Sequence, residues 1–120
     1  MIIKSRLNLI VEKIKYMKVL KDFENRRIRL TDERLKHILA HPEMIHMIGA
    51  IEETLVSPQR VVQSMSDEDA RMYYRFYIGT KVGDKYLCVV VKLNSDDAFV
   101  LTAYLTDKIK KGMKIWPKNS

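Results

Sequence analysis

The three histidines of the chain, His37, His41 and His46, all lie in the run H-I-L-A-H-P-E-M-I-H at 37–46. Imidazole exchanges protons near neutral pH and also ligates zinc, so the run suits acid–base chemistry, phosphate binding or a metal. His37 and His41 stand one helical turn apart and share a helix edge with Arg34. Pro42 disfavours helical geometry at His41 and so places it at a helix carboxyl end, where the macrodipole favours a protonated imidazole. A metal site would recruit Glu43 or His46, yet there is no H-E-x-x-H and no cysteine pair, and Pro42 interrupts the geometry. No metal and no cofactor is expected. Solvated polar residues beside a core stripe remain the alternative.

Two later stretches add candidates. In R-M-Y-Y-R-F-Y-I at 71–78, period-two alternation places Arg71, Tyr73, Arg75 and Tyr77 on one face and Met72, Tyr74, Phe76 and Ile78 on the other. Guanidinium groups grip phosphate and tyrosines stack on unpaired bases, so the first face suits single-stranded nucleic acid; an ordinary solvent face with cross-strand ion pairs is the alternative. In A-F-V-L-T-A-Y at 98–104, alternation sets Ala98, Val100, Thr102 and Tyr104 against Phe99, Leu101 and Ala103, and so groups two hydroxyls. The tail K-I-K-K-G-M-K-I-W-P-K is basic, its lysines either tracking phosphates or solvated, with Trp116 a packing anchor.

The elements that must position these residues form one domain of 120 residues, with 47% apolar and 31% charged side chains. The net charge of +7 favours a polyanionic partner. The excess sits at the ends: eleven basic and five acidic residues in 1–36, one and six in 37–70, ten and four in 71–120. The lone Cys88 fits a buried thiol in a reducing compartment, and Lys4 and Arg6 interrupt any membrane span or secretory core, so a cytoplasmic protein without membrane contact is expected. Phosphate-binding loops, dinucleotide fingerprints, nucleophile elbows and calcium loops are missing from the sequence.

Apolar residues at three- and four-residue spacing predict an amphipathic helix over 3–15. Two short strands around an E-N-R turn follow, the second at 27–30, with continued helix to about residue 20 as the alternative to the first. Thr31 caps a helix over 32–40, and a second helix over 43–55 buries Ile45, Ile48, Ile51 and Leu55. Four β-rich runs between 60 and 104 predict an antiparallel meander, giving an α+β domain with N-terminal helices packed on a four- to five-stranded antiparallel, curved sheet.

The order R-I-R-L-T-D-E-R-x-x-H-I-x-x-H-P-E, T-L-x-S-P-x-x-V, R-x-Y-Y-R, V-V-V-K, F-V-L-T-A-Y and G-x-x-x-W resembles the barnase–EndoU–colicin–RelE superfamily, in its phage- and mobile-element-associated nuclease-like branch. The resemblance covers a nuclease-like core at 26–117 and leaves 1–25 as an N-terminal helical extension, a candidate surface for homo-oligomers. It implies a metal-independent endoribonuclease acting as a toxin or effector, with an acidic antitoxin or immunity protein as partner. His37 and His41 match its motif histidines, Arg71 and Arg75 its basic strand, and Thr102 and Tyr104 its terminal strand. Arg34, Tyr73, Tyr77 and Lys92 would contact RNA. A non-catalytic RNA- or protein-binding module is the alternative.

Overall fold

The structure, a computed structural model, describes residues 18–118; the helix expected at 3–15, and with it any role in self-association, lies outside them. Strands β1 (Lys18–Lys21) and β2 (Arg27–Leu30) form an antiparallel hairpin, pairing Lys21 with Arg27. Asp22 builds its turn: Oδ1 accepts the backbone N–H groups of Glu24 and Arg26, each at 2.9 Å. Asn25 takes a left-handed φ of 63°, which asparagine tolerates better than most residues. The Thr31 hydroxyl accepts the Arg34 N–H at 3.2 Å and opens helix α1 (Asp32–Leu39).

His41 is extended, with φ −89° and ψ 115°, and Pro42 begins a single 3-10 turn, Pro42–Met44. Helix α2 (Ile48–Val56) starts later than the helix expected from residue 43. Ile45, expected in the core, is 49% exposed, while Ile51 and Leu55 are fully buried. Five strands follow: β3 (Arg60–Ser64), β4 (Ala70–Thr80), β5 (Gly83–Asn94), β6 (Asp97–Thr106) and β7 (Gly112–Trp116).

All seven strands join one sheet in the order β1-β2-β6-β5-β4-β3-β7. Neighbours are antiparallel except β2 and β6, which run parallel where Arg29 meets Phe99. This mixed sheet with two short helices overturns the expected α+β arrangement of helices on a four- to five-stranded antiparallel sheet. The central meander forms at the expected positions. It is extended on one side by the early hairpin and on the other by the basic tail, through pairings between segments far apart in sequence. The Phe23 ring in the β1–β2 turn meets Trp116 of β7 at 5.2 Å, so the two ends of the strand order curve toward each other.

Both faces of the sheet are partly buried, for different reasons. The helices cover one face, where Ile38, Met44, Ile51, Leu55, Val61, Tyr73, Leu87, Val89, Val91 and Val100 form the main core. On the reverse face Val62, Met72, Tyr74 and Cys88 form a smaller cluster. Its cover is the strap at 107–111 between β6 and β7: Ile109 packs on the cluster and the Lys110 N–H donates to the Tyr74 hydroxyl at 3.1 Å. Where the strap enters β7, a Cβ on Gly112 would lie 2.2 Å from the Gln63 carbonyl oxygen, so glycine lets the backbones approach.

A bulge divides β6. Val90 pairs with Thr102 but Val91 pairs with Val100, which leaves Leu101 as the extra residue. Ala98 and Val100 therefore face the helices, as does Ala103, whereas Thr102 and Tyr104 turn to the reverse face. The expected grouping of all four even-numbered side chains is corrected accordingly, although the two hydroxyl residues stay together. Among the described residues no helix is long and apolar enough to cross a membrane.

Candidate functional site

Beyond Phe99 no described strand pairs with the outer edge of β6, and the 3-10 turn stands there instead. A cleft of about 390 Å³ lies between them, lined by His41, Glu43 and Met44 on one side and Thr102, Ala103, Tyr104 and Leu105 on the other. That size suits one small polar group such as a nucleotide. The geometry follows from local chemistry: Pro42 forces the chain out of α1 at His41, and the bulge sends Thr102 and Tyr104 away from the core. His37, one turn back on α1, sets its ring edge-on to His41 with centroids 6.4 Å apart. Both histidines are exposed, and Arg34 is half-buried on the same helix edge. Burial, then the neighbouring Cys88, pushes the Tyr104 phenol well above its ordinary range, so at neutral pH its hydroxyl keeps its proton.

The arginine strand stands elsewhere. Arg71 and Arg75 lie on β4, separated from β6 by β5, on the helix-covered face. Arg71 pairs with Glu24 at 3.2 Å. Arg75 donates to the Ser57 carbonyl at 2.8 Å and pairs with Glu53 at 3.4 Å. Tyr73, expected to meet a base, is fully buried and donates to Asp22 Oδ2 at 2.7 Å. The same carboxylate oxygen accepts Arg26 at 2.8 Å. Tyr77 donates to Glu53 at 2.6 Å and to the Ala50 carbonyl at 3.2 Å; burial and then the Glu53 bond push its phenol up to about 12. Lys92 is held by Asp67, whose carboxyl it draws below its ordinary range through their hydrogen bond.

The residues singled out by sequence thus fall into two groups. His41, Thr102 and Tyr104 share the cleft, with His37 one helical turn before His41 and Arg34 a further turn back on α1. Arg71, Tyr73, Arg75 and Tyr77 tie β4 to the hairpin turn and α2, with their hydrogen-bonding groups engaged by acids and carbonyls. Arg71 and Arg75 do not share the cleft with His41, and Tyr73 is removed from any surface a base could reach. The alternation itself was right; both faces carry large apolar groups, so the pattern did not reveal which one the helices cover.

Two contributors were missed in these roles. Glu43 lines the cleft, and its place directly after the His41–Pro42 break was a usable signal. Asp22 anchors the β4 network from a turn, and the D-F-E-N-R string marks an aspartate able to cap it. Among the described residues, no three His, Cys, Asp or Glu side chains converge as a metal site would require. No family model, curated protein or solved structure matches this chain.

Proposed function

We propose that the protein is a metal-independent endoribonuclease whose acid–base pair is His37 and His41. The observation that carries this reading is the cleft, which brings His41 together with Thr102 and Tyr104 from the far end of the chain. One imidazole takes the proton of a ribose 2′-OH, and that oxygen attacks the adjacent phosphorus. The bond from phosphorus to the 5′-oxygen breaks, the other imidazole protonates the departing oxygen, and the products are a 2′,3′-cyclic phosphate and a free 5′-hydroxyl. The Thr102 and Tyr104 hydroxyls hold the ribose or the phosphate oxygens. Arg34, on the same helix edge as both histidines, supplies positive charge toward the phosphorane in place of Arg71 and Arg75.

The resemblance to toxin-like nucleases extends the reading to a cytoplasmic effector restrained by an acidic antitoxin or immunity protein, which would cover the cleft. A non-catalytic RNA-binding module is the second reading, favoured by the lining of the cleft itself, which includes no guanidinium among the described residues. The two separate on one measurement. Labelled RNA is incubated with the purified chain in EDTA, beside a His37→Ala/His41→Ala variant. Cleavage that persists in EDTA and vanishes in the variant supports the enzyme. Binding without cleavage supports the module, and cleavage abolished by EDTA would overturn the metal-independent mechanism.

A further inference from the structure

The cations chosen from sequence on β4 and β5 are engaged by acids, so the charge available to a polyanion has to be sought elsewhere. Lys108, Lys110 and Lys111, all on the strap, are exposed and form no ion pair among the described residues. They are not loose. Ile109 is partly buried against the reverse-face cluster and the Lys110 N–H donates to the Tyr74 hydroxyl at 3.1 Å, so the strap's backbone is anchored to the sheet without a ligand.

Aromatic rings border this strap on the same reverse face. Tyr86 pairs across the sheet with both Phe76 and Thr106, the last residue of β6 before the strap. The Phe76 and Tyr86 rings meet edge to face at 5.0 Å, Tyr86 reaches Tyr74 at 6.3 Å, and Phe76 is 40% exposed. Exposed cations beside an exposed Phe76 and a partly exposed Tyr86 form the combination that holds unpaired nucleotides, with lysines on phosphates and rings against bases. An anionic membrane also attracts lysines beside aromatic side chains, and competition between vesicles and RNA separates the two. Tyr104 of the cleft wall packs against the same cluster as Ile109, so cleft and strap adjoin.

We propose that single-stranded RNA runs over this reverse face, its phosphates on Lys108, Lys110 and Lys111 and its bases on Phe76 and Tyr86, and enters the cleft at Tyr104. That the strand is RNA, and that it continues to His41, rests on the proposed ribonuclease activity; the cationic and aromatic chemistry does not.

The test measures binding of a fluorescent single-stranded RNA to the full chain across a salt series. The variants are Lys108→Gln/Lys110→Gln/Lys111→Gln, the same triple change to Arg, Phe76→Ala, and Arg71→Gln/Arg75→Gln. Losing three phosphate contacts should lower the slope of log affinity against log salt by about 2, with the arginine triple restoring it. Phe76→Ala should weaken binding at least about fivefold while leaving the slope unchanged. The Arg71/Arg75 variant should bind as the parent does. An unchanged slope in the glutamine triple, or an equal loss in the Arg71/Arg75 variant, overturns the proposal. So does strap-dependent binding to anionic vesicles that RNA does not compete away. Strap-dependent RNA binding without cleavage would remove the enzyme and leave this site standing; cleavage with unchanged KM in the glutamine triple would do the reverse.

Discussion

The helix-covered face of the sheet and the strap on its reverse use charge in opposite ways. On the helix-covered side, Arg26, Arg71 and Arg75 are paired with Asp22, Glu24 and Glu53, and Tyr73 and Tyr77 donate into the same acids. On the reverse side Lys92 is held by Asp67, but three lysines of the strap form no ion pair among the described residues, and at the sheet's open edge the exposed His41 shares a cleft with two hydroxyl residues. A residue type therefore says little about its use until its counter-charge is located. Paired cations hold strands and turns in place, and unpaired ones are available to a ligand.

The largest test of this contrast is catalytic. His41→Ala should lower RNA cleavage by about 100- to 10,000-fold, the usual worth of a positioned acid or base, while leaving the denaturant midpoint near that of the parent. Tyr73→Phe should do the opposite, with near-normal cleavage and a loss of about 1–3 kcal/mol in urea unfolding, because a buried carboxylate loses one of its donors. A cleavage defect in Tyr73→Phe without a stability loss would merge the two regions.

Gly112→Ala probes the strap's anchorage. The added methyl meets the Gln63 backbone, and the required shift should cost about 1–3 kcal/mol, read as a lowered unfolding midpoint and weaker RNA binding together. Arg75→Gln removes a partly exposed pair and should cost under about 1 kcal/mol with no change in cleavage.

A pH titration sharpens the comparison from another direction. Burial, followed by the bond to Asp22, raises the Tyr73 phenol above its ordinary value of 10.0. A raised folded-state value means that the stabilisation is complete below the unfolded value and is lost as pH rises through the folded one. Stability should therefore decline above pH 10, and Tyr73→Phe should flatten that decline, as followed by circular dichroism. Asp97 behaves with the opposite sign: the hydrogen bonds from Arg29 hold it below 3.8, so its contribution is present above that value and fades as pH falls further. That acid-side effect is the smallest of all, since the pair is open to solvent.

Much of the cleft was legible in the sequence. Pro42 marked where α1 ends, and T-A-Y marked a hydroxyl-bearing strand; both are local signals. What was not legible is non-local. Nothing within R-I-R-L announces a parallel partner at Phe99, and G-M-K-I-W within a basic tail carries too few alternating positions to declare itself a strand. The bulge was equally hidden, because Leu101 is as apolar as its neighbours. The hairpin turn was readable from E-N-R, yet the reach of Asp22 to Tyr73 depends on the sheet's curvature, which no short window contains.

Leu101 also shapes how this chain can vary. A strand without a bulge has a single parity, and every even position answers to the same neighbour. Here one extra residue resets the count midway, so the two halves of β6 obey separate constraints. Changes before it are judged by the helices, whereas changes at Thr102 and Tyr104 are judged by whatever occupies the cleft. Specificity could drift at one end of the strand while the core at the other end stays fixed, an independence that two residues of the same parity would not have.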